Sequence, residues 1–311
     1  MSRVHRKRIA VRALMIAAVC LVSAAAAQDQ PRRTVQPGPT LIDDTKVPPI
    51  EVAFQSDIVY GQAGDVALTM DLARPKGLTH PAPAVVWIHG GAWRGGRKEE
   101  FDSLIRESAR AGFISVSINY RLVPDYLFPA QVEDAKCAVR WLRANAERLQ
   151  VDPDRIGVVG ASAGAHLAMM LGTMNADDGL EGEGGSAGVS SRVQAVVSFA
   201  GPTNLGAELP DVSQDLVAAF LGGRAFEVPE KAAAASPITY VDAGDPPMLL
   251  VQGTKDPLVP HAQATEMIEA LTSAGVEGRV EFLIGAGHGW PEEHARVMRA
   301  TFEFLHRHLD P

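Results

Sequence analysis

The chain has 311 residues, 46% hydrophobic and 21% charged, with a formal net charge of −8. Its 29 Gly and 21 Pro mark many turns but form no long low-complexity tract, so disorder is excluded as the main state and one large or two small globular domains are expected. The acidic balance argues against nucleic acid or an anionic membrane as the main partner.

The chain opens on Arg3, Arg6, Lys7, Arg8 and Arg12, followed by an apolar run over residues 13–22 and by Ala25-Ala26-Ala27 before Gln28. A basic start, a short apolar run and small residues form the pattern of a cleaved export signal, expected over residues 1–27. The run is shorter than the roughly 20 residues a membrane-crossing helix needs, which weighs against an anchor. Apolar residues continue past Cys20, which weighs against a lipoprotein. The implied location is secreted or periplasmic, without membrane attachment after cleavage. Five of the 29 basic residues and no acid lie in this segment, so cleavage leaves 24 against 37, a balance of −13. Cys137 then remains as the lone cysteine, unable to form an internal disulfide and placed in a helical pattern as a small core residue. Residues 28–50, with Pro31, Pro37, Pro39, Pro48 and Pro49, read as a flexible leader ahead of a single catalytic domain over residues 51–311.

From residue 52 onward, apolar strand-like runs alternate with helix-period stretches. Strands are expected over 58–60, 66–72, 84–89, 114–119, 156–159, 195–199, 248–252 and 280–284. The later runs are short and continuously apolar, as for strands buried on both faces. Helices are expected over 98–111, 130–150, 163–174, 262–274 and 292–309; the clearest carries Ala135, Val139, Leu142, Ala146 and Leu149 on one face. The alternation implies an α/β fold, a mostly parallel central sheet of about eight strands with helices on both faces. The first two strands have no helix between them and are expected to form an antiparallel hairpin. No internal repeat is visible. Residues 175–191 and 202–235 leave the pattern and are expected to line a substrate entrance.

Gly160-Ala161-Ser162-Ala163-Gly164 lies between a strand and a helix, the setting in which G-x-S-x-G holds a nucleophilic serine on a tight, strained turn. Strand 84–89 runs into His89-Gly90-Gly91-Ala92-Trp93. Such a loop contributes backbone N–H groups to an oxyanion hole, here from Gly91 or Ala92 with Gly90 shaping the loop, and Ala163 after the nucleophile contributes another. His89 reads as a loop organiser, and Trp93 as a candidate lining residue for substrate.

A serine hydroxyl needs a base to take its proton. Of nine histidines, His288 is the candidate, because it sits in Gly285-Ala286-Gly287-His288-Gly289-Trp290 just after a strand; Trp290 beside it is a second candidate substrate contact. His166 lies one turn into the helix after the serine and reads as structural, whereas His261, His294, His306 and His308 fall on helix surfaces. Asp256, just after strand 248–252, is the candidate acid that would orient His288. Asp242 and Asp245 precede that strand and belong to the opposite sheet edge. Ser162, Asp256 and His288 occur in the chain order Ser…Asp…His, each beyond the carboxyl end of a strand, where ligands bind in an open parallel sheet.

These stretches give the chain a family likeness. Residues 86–93, 117–122 (Ser-Ile-Asn-Tyr-Arg-Leu), 128–134 (Phe-Pro-Ala-Gln-Val-Glu-Asp), 152–156, 160–166, Ser236-Pro237 and 285–289 resemble bacterial α/β-hydrolase esterases of the hormone-sensitive-lipase-like group, closest to its feruloyl-esterase-like and acetyl-esterase-like branch. The likeness covers about residues 52–308. It implies the α/β-hydrolase fold and a carboxylic-ester hydrolase that uses neither metal nor cofactor. Ala92 stands where lipase-like relatives usually have a third glycine, and Ala165 where a glycine is frequent. The expected substrate is a small-molecule or polysaccharide-linked ester with a short-to-medium acyl, acetyl or feruloyl group. A serine peptidase of related fold and a non-catalytic binding protein are the alternatives; the missing propeller-sized amino-terminal domain weighs against the first, the intact triad residues against the second.

Overall fold

The computed structural model describes residues 50–310, so the expected export signal and all of the leader except Ile50 lie outside the described residues. Eight strands and eight α-helices follow in chain order: β1 (Val52–Ala63), β2 (Val66–Pro75), β3 (Ala82–Ile88), α1 (Asp102–Arg110), β4 (Ile114–Ile118), α2 (Ala130–Ala144), α3 (Ala146–Leu149), β5 (Val151–Ala161), α4 (Ala163–Thr173), β6 (Ala195–Phe199), α5 (Asp211–Leu221), α6 (Pro229–Ala234), β7 (Met248–Gly253), α7 (His261–Ala274), β8 (Gly278–Leu283) and α8 (His294–Leu309). The strands form one sheet in the order β1-β2-β4-β3-β5-β6-β7-β8. β1 pairs antiparallel with β2, and β2 antiparallel with β4. All remaining pairs are parallel.

Strand alternation builds two cores. In β3, Ala84, Val86 and Ile88 face a core shared with α2, α4 and α7, while Val85 and Trp87 face one shared with α1 and α8. Every residue of β3 and β4 is buried, which is why these strands read as unbroken apolar runs.

The structure corrects several expected boundaries. β1 is 12 residues long, where only 58–60 was legible, because its exposed Gln55, Ser56 and Asp57 interrupt the apolar pattern. The expected helix 130–150 breaks at Asn145, whose side-chain amide donates to the Trp141 carbonyl (2.8 Å) and competes with the helical ladder. Residues 98–111 divide into a short 3-10 turn, Lys98–Phe101, and α1. Cys137 is buried in the core, as its pattern suggested.

The parallel register aligns the carboxyl ends: Ile88 lies opposite Gly160, Ala161 opposite Phe199, Phe199 opposite Val251, and Gly253 opposite Leu283. The loops that follow β3, β5, β7 and β8 therefore emerge side by side. The loop after β4 is held over them by an ion pair. Arg121 donates from Nε to both oxygens of Asp134 (3.0 and 2.9 Å) and from Nη2 to Oδ1 (2.8 Å). From this loop the Tyr120 hydroxyl donates to the His89 carbonyl (3.0 Å), and the Val123 N–H to the Trp93 carbonyl (2.9 Å). Asp134→Ala leaves the Arg121 guanidinium with only Glu133 Oε2 and the Ala130 carbonyl (both 3.1 Å) and is expected to cost about 1–3 kcal/mol in urea unfolding; a loss below about 0.5 kcal/mol would contradict this role.

Candidate active site

Ser162 lies where β5 turns into α4, at φ 53° and ψ −118°, a conformation that costs a non-glycine residue about 1–3 kcal/mol. Close packing enforces it. A Cβ on Gly160 would stand 2.1 Å from the Gly164 carbonyl oxygen, and one on Gly164 would stand 2.1 Å from that of Ile88. The Ser162 N–H is tied to the Phe199 carbonyl at 2.7 Å. The side chain is thus turned toward the loop after β8, and its hydroxyl donates to His288 Nε2 at 2.9 Å.

His288 Nδ1–H donates to Asp256 Oδ2 at 2.8 Å, which fixes the tautomer that leaves Nε2 free to accept. The Asp256 side chain is fully buried. It also accepts from Gln252 Nε2 (3.0 Å) and from the N–H groups of Leu258 (2.8 Å) and Val259 (3.0 Å). Burial alone would raise its pKa, but the bonds from His288, Val259 and Leu258 outweigh it and hold the carboxylate below its ordinary value. The loops carrying Asp256 and His288 are joined to each other: Lys255 N–H donates to the Ala286 carbonyl (2.9 Å), and Gly285 N–H to Thr254 Oγ1 (2.8 Å). The structure therefore brings together Ser162, Asp256 and His288. Asp242 and Asp245 stay in the turn before β7, where Asp242 N–H donates to Asp245 Oδ2.

The loop after β3 takes three successive left-handed residues, Gly91 (φ 109°), Ala92 (φ 52°) and Trp93 (φ 58°). The Gly91 carbonyl accepts the N–H groups of Arg94 and Gly95, closing the turn, while the N–H groups of Gly91, Ala92 and Ala163 make no backbone bond outside regular elements among the described residues. Gly90 passes so close to Ser162 that a Cβ there would lie 3.2 Å from the serine Cβ. His89 is buried, stacks on Tyr120 with ring centroids 4.4 Å apart, and donates from Nδ1 to the Gly90 carbonyl (2.7 Å). Burial lowers its pKa, so it stays neutral.

A cavity of about 320 Å³ opens beside Ser162, His288, Gly91, Ala92 and Ala163. Its remaining wall is apolar: Trp93, Pro202, Leu209, Leu216, Val217, Leu258 and Val259, with Ser213 the polar exception. Trp93 stacks on Phe220 at 4.2 Å, and its Nε1–H donates to His166 Nδ1 at 3.3 Å. His166 Nε2–H in turn donates to the Ala235 carbonyl at 2.7 Å. Complete burial lowers the His166 pKa to about 4, only partly opposed by the Ala235 bond, so a neutral imidazole holds Trp93 in the wall.

Trp290 is not brought to this cavity. It packs edge-on to Phe199 at 6.5 Å and lines a separate surface depression with Ile284 and Pro291. Residues 202–235, which leave the sheet at the carboxyl end of β6, do cover the site through Leu209 and α5. Residues 175–191 do not. They follow α4 and so start from the opposite edge of the sheet, where the Gly184 carbonyl accepts the Gln62 N–H (2.8 Å) and Glu181 pairs with Lys136 and Arg140.

Sequence reasoning also missed Lys98. Its Nζ is buried against Asp71 (2.8 Å), Asp57 (2.9 Å) and Glu99 (2.7 Å), bracing the far end of the loop after β3. Burial works against its charge, but these carboxylates outweigh it and raise its pKa. Among the described residues, no group of three or more His, Cys, Asp or Glu side chains is placed to hold a metal ion.

A family model described as BD-FAE matches residues 70–271. Esterase LipQ of Mycobacterium tuberculosis is 34% identical over 229 residues, which is 72% of this chain and 54% of that protein. Esterase LipC of the same organism is 33% identical over 75% of this chain and 59% of that protein. The chain spans about half the length of these curated relatives. Among solved structures, a truncated carbohydrate esterase from gut microbiota superposes with a TM-score of 0.75 at 26% identity, covering 85% of this chain and 98% of that one. Esterase Est2 of Thermogutta terrifontis gives a TM-score of 0.70 at 26% identity, covering 85% and 95%.

Because the folded pKa of His166, about 4, is below the ordinary 6.5, the unfolded chain takes up that proton first. The associated stability is complete above about pH 6.5 and is lost as pH falls toward about 4, by roughly 2–3 kcal/mol. In urea unfolding at pH 7.5 and pH 4.5, His166→Gln should lose less stability on acidification than the parent by about this amount; parallel pH slopes would contradict the assignment.

Proposed function

The chain belongs to the BD-FAE family, an α/β-hydrolase esterase family, and from that premise we propose that it hydrolyses carboxylic esters through an acyl-enzyme on Ser162. The observation that supports this most is the unbroken chain from Ser162 Oγ to His288 Nε2 (2.9 Å) and from His288 Nδ1 to Asp256 Oδ2 (2.8 Å).

In this reading His288 takes the serine proton as Oγ bonds to the acyl carbon. The carbonyl oxygen becomes an oxyanion that accepts from the N–H of Ala163 and of Gly91 or Ala92, with each well-placed donor worth roughly 3–4 kcal/mol in the transition state. Collapse breaks the ester C–O bond, and the leaving alcohol takes the proton from His288. Water then attacks the acyl-enzyme with His288 again as base, releasing the acid and restoring Ser162. Asp256 stays ionised throughout and stabilises the imidazolium. Every step uses groups of this chain and requires neither metal nor cofactor.

The apolar wall of this cavity of about 320 Å³ supports a short-to-medium acyl group. The carbohydrate esterase among the similar structures supports an alcohol carried on a sugar, including acetyl or feruloyl esters of polysaccharide. The basic and apolar pattern of residues 1–27 supports action outside the cytoplasm, with the ester substrate as the partner.

Ser162→Ala should lower p-nitrophenyl butyrate hydrolysis by at least about 10⁴-fold and abolish labelling by a fluorophosphonate probe. Asp256→Asn should lower kcat by about 10⁴-fold while the fold is retained. Equal rates for parent and Ser162→Ala would overturn the mechanism.

A further inference from the structure

Behind the serine cavity lies a second one. It measures about 290 Å³ and is lined by Glu208, Gln214, Arg224 and Phe226 among others. The two cavities share two lining residues, Leu209 and Val217. One layer of aliphatic side chain therefore separates the apolar space beside Ser162 from a more polar space at the surface, where Phe226 is 77% exposed. Both partition residues are nearly buried themselves, Leu209 at 5% and Val217 at 4%.

The backbone that carries this partition is fixed from both sides. The Leu209 carbonyl accepts from Gln214 Nε2 at 2.8 Å, and the Pro210 carbonyl accepts the N–H groups of Ser213 and Gln214 at 2.8 and 2.9 Å. One turn before Val217, the Ser213 hydroxyl donates to the Leu258 carbonyl at 2.6 Å. That bond joins α5 to the segment whose N–H groups hold Asp256. With the backbone pinned to the loop that carries Asp256, both side chains stand on a fixed support between the two cavities.

We propose that Leu209 and Val217 form the partition that sets the upper limit on acyl length. This rests on the reading of Ser162 as the acylated residue. A short or medium acyl chain ends against the two side chains and is desolvated by them. A longer chain meets them before its carbonyl reaches the oxyanion donors, so its kcat/KM falls. Removing one side chain joins the cavities and lets the tail of a long acyl group pass between them and emerge beside Phe226.

The test is the kcat/KM profile over p-nitrophenyl esters from acetyl to dodecanoyl. Leu209→Ala and Val217→Ala should raise the dodecanoyl-to-butyryl ratio by about 10-fold or more, the scale on which methylene-sized differences in an apolar pocket discriminate. Val217→Phe should shift the optimum to shorter chains. Val212→Ala, a half-exposed position on the same helix outside both cavity walls, should leave the profile unchanged. Unchanged profiles in Leu209→Ala and Val217→Ala, with the parent active and Ser162→Ala inactive, would overturn the partition while leaving ester hydrolysis at Ser162 in place. An inactive parent, or an active Ser162→Ala, would instead overturn the esterase reading.

Discussion

The backbone leaves no room for a side chain two residues to either side of Ser162, and the rest of the site depends on that constraint. Gly160 and Gly164 meet at distances that only a hydrogen can occupy, and Gly164 presses on the carbonyls of Ile88 and His89. The turn of β5 into α4 is thereby locked against the end of β3. Two elements distant in sequence, the serine turn and the His89–Trp93 loop, become a single packed unit. The strain at Ser162 is balanced by this packing and by the bond from its N–H to Phe199. The same device recurs two strands along the sheet: a Cβ on Gly253 would lie 2.2 Å from the Gly287 carbonyl oxygen, which packs the Asp256 loop directly on the His288 loop.

Around that unit, buried polar groups do the positioning. Asp256 has four donors around it, so its carboxylate has essentially one orientation, and His288 inherits it. Arg121 with Asp134, and Lys98 with Asp71, clamp the loops after β4 and β3. Isolated charges at these depths would be unfavourable; paired, they remove alternative loop conformations. His166 does the same for Trp93 without charge, since its two ring nitrogens have separate partners and burial keeps it neutral.

Much of this was legible in the sequence, for reasons that can be located. Interior strands such as 195–199 show as apolar runs because both faces are buried, and their order places every strand-following motif at one edge. The serine, acid and base candidates were readable because each sits just past such a strand. β1 is legible only over 58–60, since five of its twelve residues are exposed and its pairing with β2 is interrupted by register shifts. Trp290 was misjudged because proximity in sequence to His288 says nothing about which side of the loop a side chain leaves. Residues 175–191 do not line the cavity because a segment that follows a helix begins at the amino edge of the sheet. α5 was missed because its apolar residues face a cavity as well as the core, which blurs the helical period. Ala92 was visible as a departure from glycine, and its φ of 52° shows what the departure entails: an alanine held in left-handed backbone by its neighbours.

Cys137 sits under the β1 strand, its Sγ 3.7 Å from the Tyr60 carbonyl oxygen and close enough to Gly61 that no side chain fits between them. Sequence separation between these partners is 77 residues, so the thiol is covered only once the hairpin has docked on α2. Burial also raises its pKa, which suppresses the reactive thiolate. Chemical vulnerability of this thiol is therefore a property of folding time: oxidation competes with docking of the hairpin, and ends as a hazard when docking is complete.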